Sequence, residues 1–375
     1  MTIIKHELKK IIMFPAIIGF VVLAIALNIV VITTMQNSYT DFIAVTSHTT
    51  GINLGAEFNK QLAELEPSLY RDLLQLQTEN REDVLYGYTT DYIADIAVER
   101  RELSGLLEQL MRSKYQRFQS AVDAQQKAGD SMTLYFADAT YWRHQALFNH
   151  TMGLLLFQGI SIAALIMLLS LGYESSAKTD FVVYSTKVGR KMNNHKLIAG
   201  TIVGIGVYVL IASITLSIYF TLNPMGGVWN SSVSSGFNFV RDGFIVRPFV
   251  TWHSFTVAEY LLASIGISIA LVLSFSLMAH AVGLWLKNSY VGFFVVVALN
   301  GTLFLLPFYL PTTMLNFAIS QTPIWLIMMR DSWFTDGGSN VIVPHFETVG
   351  VIGSIVVLAI ISFWSTLRFN RRNMV

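Results

Sequence analysis

Few residues in this 375-residue chain have the types and spacing that chemistry needs. A phosphate cradle requires Gly-x-x-x-x-Gly-Lys followed by Ser or Thr, whose amides and lysine hold the phosphates. No Gly-Lys dipeptide occurs anywhere. Zinc hydrolysis on a helix requires His-Glu-x-x-His. After His6-Glu7, Lys10 stands where the second histidine belongs. No Gly-x-Ser-x-Gly elbow raises a serine nucleophile. With no cysteine, thiolate chemistry, disulfides and cysteine-bound zinc are excluded. The eight histidines are scattered, and His280 reads as a packed or interfacial ring rather than a ligand. The chain is therefore read as having no catalytic, cofactor or metal site of its own.

The long apolar stretches hold little polarity. Asn28, Gln158 and Asn300 are uncharged, and Glu259 lies near one end of its stretch. These four are the candidate pathway groups. Amides in such places serve either as interhelical hydrogen-bond partners or as substrate contacts. The scarcity of intramembrane charge argues against a proton- or ion-coupled transporter, which tends to carry buried carboxylates and broken helices.

The elements that position these groups follow from hydropathy. The chain is 53% hydrophobic and 13% charged, against roughly 25% charged in a soluble domain. A membrane span needs about 20 mostly apolar residues. Six segments qualify, at 11–34, 150–172, 197–221, 256–284, 290–310 and 346–367, the fifth ending at Pro307 and Pro311. The fold expected is an all-α membrane protein of six transmembrane helices. Twelve Lys and Arg lie in the N-terminus, in 173–196, at Lys287 and in the tail 368–375, against Arg241, Arg247 and Arg330 in the loops 222–255 and 311–345. The positive-inside rule then places both termini in the cytoplasm of a cell membrane, and 35–148 outside.

Region 35–148 carries ten basic and sixteen acidic residues, a net charge of −6. Phe58, Leu62, Leu65, Leu69, Leu73 and Leu76 recur at helical spacing, with Pro67 interrupting. A second run has Tyr92, Ile96, Leu103, Leu106, Leu107 and Leu110, and Gly129-Asp130 marks a break. A helical extracellular domain is expected, either a lid that gathers substrate or a solubilising ectodomain. The Gly- and Ser-rich loop 222–255 and the loop 311–345 could hold short interfacial or re-entrant helices.

Two features of the basic side stand out. Residues 1–12 place Ile3, Ile4, Leu8, Ile11 and Ile12 on one helical face and Lys5, His6, Lys9 and Lys10 on the other. Such a helix suits the inner membrane interface, and Pro15 favours a bend after it. The loop 173–196 mixes Phe181, Val182, Val183 and Tyr184 with five basic residues, which suits either a docking surface or a basic anchor.

On these residues the chain resembles the permease subunits of type-2 (type V) ATP-binding-cassette exporters, in the branch with a large outer domain between the first two spans. The family's N-terminal connecting helix is matched by Lys5-His6-Glu7-Leu8-Lys9-Lys10. Its coupling loop is matched by Glu174, Ser185-Thr186, Gly189-Arg190 and Lys196, with Lys187 where many relatives have proline. The resemblance implies a coupling helix seated in a cytoplasmic ATPase subunit, and ATP and magnesium on that partner. It also implies a second permease, identical or paralogous, and no nucleic acid. Substrates of the family include lipids, glycolipids, peptides and drugs. Apolar spans point to an amphipathic or hydrophobic one, with a sodium or small-solute exporter as an alternative. A non-transporting sensor or immunity protein is a further alternative.

Overall fold

The computed structural model describes residues 2–34, 46, 49–79, 81–179, 182–183, 189–242, 245–286 and 288–371. Six of its helices are long and apolar enough to cross a membrane, which supports a multi-pass membrane protein. A short helix, α1 (Thr2–Ile12), precedes them. It breaks at Met13-Phe14, and Pro15 opens α2 (Pro15–Thr34). Proline suits a first helical position, where its missing N–H has no intrahelical partner anyway. The first span is therefore shorter than the 11–34 expected.

The second spanning helix is longer than expected. A continuous run, Ala137–Ser176, contains α7 (Thr140–His144), a π-helical segment Gln145–Thr151 and α8 (Met152–Ser176). Widened π turns release backbone carbonyls. Here Arg330 donates from Nε to the Asn149 carbonyl at 2.8 Å. Its guanidinium lies over Gly153, where a Cβ would collide with it. The remaining spans are α9 (Met192–Leu222), α10 (Val257–Gly283) and α11 (Ser289–Tyr309). α11 passes through Pro307 rather than ending there.

Buried on most of its faces, α8 packs against α2, α9, α10 and α11. Gly200 and Gly204 make the α8–α9 approach possible. A Cβ on Gly204 would sit 3.2 Å from Ala163, and one on Gly200 would sit 2.9 Å from Met167. Small residues let helix backbones come this close, and dispersion does the rest.

Between α2 and α7 lie α3 (Ala56–Glu64), α4 (Leu69–Thr78), α5 (Asp91–Arg100) and α6 (Leu106–Ala128). Pro67 splits the first leucine run, and Ser68 caps α4 by accepting from the Arg71 amide. The break rotates the second helix. Phe58 and Leu62 are buried as their spacing predicts, but Leu69, Leu73 and Leu76 are exposed and Leu74 packs inward instead. The second run is displaced similarly. Ile93, Ala94 and Ala97 are buried while Tyr92 and Leu106 are exposed. α6 ends at Ala128, with Gly129 in the left-handed conformation of a C-cap.

The chain is not wholly α. Within 222–255, β1 (Phe239–Asp242) pairs antiparallel with β2 (Ile245–Pro248), Phe239 opposite Pro248. The other loop holds α12 (Met314–Ile319) and α13 (Pro323–Met328) before the sixth spanning helix, α14 (Phe346–Arg371). These loops and α3–α6 form one cap. Ser231 donates to the Leu134 carbonyl at 2.7 Å and Ser235 to that of Thr133 at 2.6 Å. The Gly236 amide bonds the Ser131 carbonyl at 2.8 Å.

Because the cap core is assembled from three separated segments, an excised 49–135 fragment loses much of its burial. Its far-ultraviolet circular dichroism is expected to show less helix than these residues have in the whole chain, with no cooperative melt. A fragment with native helicity and a sharp transition would show that the cap folds without the loops.

Candidate functional site

Charged residues gather where α1, α8 and α9 meet, beside the chain's basic loop. α1 settles there through an apolar cluster of Ile11, Ile17, Ile162, Ile166, Ala199 and Val203, with Ile4 and Leu8 packed against it. That seating carries Glu7 and Lys10 to the end of α8. Lys10 Nζ donates to Glu174 at 2.8 Å and to Glu7 at 3.4 Å. It also lies 3.9 Å from the centroid of the Tyr173 ring. On the other side, Lys196 forms an ion pair with the second oxygen of Glu174 and donates to the Ser170 carbonyl at 2.7 Å. Glu7, Glu174 and Lys196 are each less than 5% exposed. Two cations and two carboxylates leave no net charge.

This cluster unites four residues singled out from the sequence: Glu7, Lys10, Glu174 and Lys196. It also gives them a definite geometry. Lys10 turns inward to Glu174, whereas Lys5 and Lys9 stay exposed. The Glu174–Lys196 pair closes the base of the loop between α8 and α9. Phe181, Tyr184, Ser185, Thr186 and Lys187 lie outside the described residues, as does the Arg190 side chain. Gly189 begins a 3-10 turn, Gly189–Lys191, that leads into α9. Val182, in the loop, is 69% exposed.

The candidate pathway groups do not converge. Asn28 and Gln158 exchange amide hydrogen bonds at 2.7 and 3.1 Å, and Asn28 also donates to Thr215 at 2.8 Å. All three are buried. Thr215 was not singled out because a threonine on a long apolar helix looks like any other. Asn300 donates to the Val296 carbonyl at 2.8 Å and to the Met278 sulfur. Glu259 is the third residue of a capping box and bonds Thr256 at the start of α10. His280 is buried and bonds Ser362 at 2.7 Å, joining α10 to α14.

A second ionic cluster, absent from the sequence reading, sits in the cap. Lys114 is 1% exposed and donates to the carbonyls of Asp336, Gly338 and Val341. Arg247 pairs with Asp336 at 2.6 Å. Burial works to raise the Asp336 carboxyl, but Arg247 and then Lys114 outweigh it and hold it below the ordinary carboxylate range. Burial, only partly opposed by Arg247, pushes nearby Tyr88 up to about 12. The clue in sequence was Lys114 lying on the buried face between Met111 and Phe118. His144 was also missed: it is enclosed by Tyr135, Phe148, Phe249 and Tyr260, and neither ring nitrogen has a hydrogen-bond partner among the described residues.

Among the described residues, no group of three or more His, Cys, Asp or Glu could hold a metal ion. A scan against protein-family models, a search of curated proteins and a search of solved structures each found no match.

Removing one member of a buried ion pair strands the other and costs about 3–5 kcal/mol. Lys196→Ala should therefore lower the thermal midpoint of the solubilised chain strongly. Lys196→Ala combined with Glu174→Ala should cost less than the sum of the two single changes. Additive losses would mean that the pair is not coupled. In the cap, Asp336 is depressed in the folded state. Its stabilisation is then present above the unfolded value of about 3.9 and is lost as pH falls through the lower folded value. Thermal midpoints measured between pH 6 and 2.5 should fall less in Asp336→Asn than in wild type; parallel curves would dismiss this linkage.

Proposed function

We propose that this chain is the membrane-spanning subunit of an ATP-driven exporter that takes its energy from a separate cytoplasmic ATPase. The observation that carries the reading is the buried ionic cluster that joins α1, α8 and α9 at the base of the basic loop. A loop that transmits force must not slide against the helices it drives. A closed Glu174–Lys196 base, braced by Lys10, gives it a stiff footing. The six long apolar helices supply the membrane unit, and the lack of nucleotide motifs in the sequence leaves energy to a partner.

In this reading both termini and the loop 173–196 face the cytoplasm, α1 lies at the inner interface, and the cap is extracellular. ATP and magnesium sit on the partner ATPase. A second permease, identical or paralogous, completes the translocation unit in a bacterial cell membrane. The substrate is amphipathic or hydrophobic. The candidate pathway amides within the spans are engaged with one another or with backbone, and intramembrane charge is scarce, which suits apolar walls better than an ion route.

The test is co-purification. An ATPase subunit is expected to accompany the detergent-extracted protein, and substrate is expected to stimulate its turnover. Val182→Asp, and Tyr184→Ala combined with Arg190→Ala, should preserve insertion and thermal midpoint. Both should lower ATPase recovery at least tenfold, since interface anchors of this kind are worth about 2 kcal/mol or more. Unchanged recovery in both variants would return the loop to a basic membrane anchor.

A further inference from the structure

We propose that the cleft between α3 and α4 on the cap is a binding site for a single-chain amphiphile with an anionic head. The cleft has a volume of about 590 Å³, within the roughly 300–1,000 Å³ of small-molecule sites. Its two long walls differ in chemistry. Phe58 and Leu62, four residues apart on α3, supply an apolar wall, while Arg71, Gln75 and Thr78 recur along the facing side of α4. Apolar groups on one side and hydrogen-bond donors on the other match a ligand that is itself divided.

The charge of the head follows from the arginines. Arg71 and Arg81 both line the cleft, where Glu79 is the acidic lining residue, within a region of net charge −6. The two arginines are held differently. Arg71 pairs with the adjacent Asp72 at 3.1 Å, where both side chains are solvent-accessible, and exposed pairs of this kind are weak and exchangeable. Arg81 lies 3.8 Å from the centroid of the Phe237 ring and donates from Nη2 to the Gly236 carbonyl at 2.5 Å. Its Nε is buried without a hydrogen-bond partner among the described residues. Burial lowers its pKa, opposed by Asp138. A carboxylate or phosphate head in the cleft would pair with these two guanidinium groups, displacing the exchangeable Asp72 contact of Arg71. A cationic ligand would meet two arginines. Because Arg81 also holds Gly236 and Phe237, occupancy would be felt by the loop between α9 and α10.

The inference does not depend on the export reading, since binding to the cap needs no ATPase. The whole chain in nanodiscs is titrated calorimetrically with decanoate and with decyl phosphate, and then with decanol and decyltrimethylammonium. Protein-free nanodiscs provide the blank. Saturable one-to-one binding of at least one anion is expected, at least tenfold tighter than the neutral and cationic probes. Whichever anion binds tighter names the head as carboxylate or phosphate. Arg71→Gln should weaken binding at least fivefold with no change in thermal midpoint. Ala63→Trp, which fills the cleft from an exposed lining position, should abolish it. Arg71→Glu carries the blocking test if Ala63→Trp does not fold. The proposal is overturned if neither anion saturates, if the cation binds equally well, or if the folded blocking variant binds like wild type.

Discussion

A carboxylate at the end of a buried helix is the constraint on which one side of this molecule depends. Glu174 ends the innermost spanning helix, and an isolated charge there would lose its hydration with nothing in return. Lys196 and Lys10 take its two oxygens separately. One lysine is 22 residues away and the other 164. Satisfying this one group therefore brings the start of α9 and the whole of α1 to the same place. The apolar contacts of Ile11 and Ile166 seat α1 in that place. Lys196, the buried one of the two lysines, depends on Glu174 in turn, whereas Lys10 also reaches Glu7.

The opposite end solves a similar problem with different chemistry. Three backbone carbonyls, those of Asp336, Gly338 and Val341, accept from the Lys114 ammonium. Those carbonyls belong to a turn through Asp336 and Gly338, where glycine permits the left-handed conformation. Arg247 reaches the same turn from the hairpin. Helix α6, the hairpin and the approach to α14 are thus tied at one point. Arg330, over Gly153 and bonded to the Asn149 carbonyl, separately ties the approach to α14 to the second spanning helix.

Between these ends the interior is largely apolar. The Asn28–Gln158 exchange with Thr215 ties α2, α8 and α9 at mid-helix, where a lone amide would be costly. Such contacts hold helices in register without offering a free group to a passing solute.

Much of this was legible in the sequence, because hydropathy and helical period are local properties. Six apolar stretches became six long helices, and Pro15 and Gly129 marked helix boundaries. Glu7, Lys10, Glu174 and Lys196 were visible as charges at the edges of spans, but not as one cluster. What the sequence left open was decided by partners far along the chain. Rotation of α4 beyond Pro67 exposed Leu69, Leu73 and Leu76, since a break resets helical phase and only packing against the rest of the cap chooses the new one. The short hairpin formed inside a Gly- and Ser-rich loop whose local pattern did not distinguish strand from coil. Lys114 looked like a surface lysine because side-chain type reports hydration preference, whereas burial depends on whether carbonyls from a distant turn arrive to replace the water. Composition and period therefore determined which segments are helices and which can lie in lipid. Tertiary contact alone decided which charges meet, because an ion pair between residues 10 and 174 exists only after the helices between them have packed.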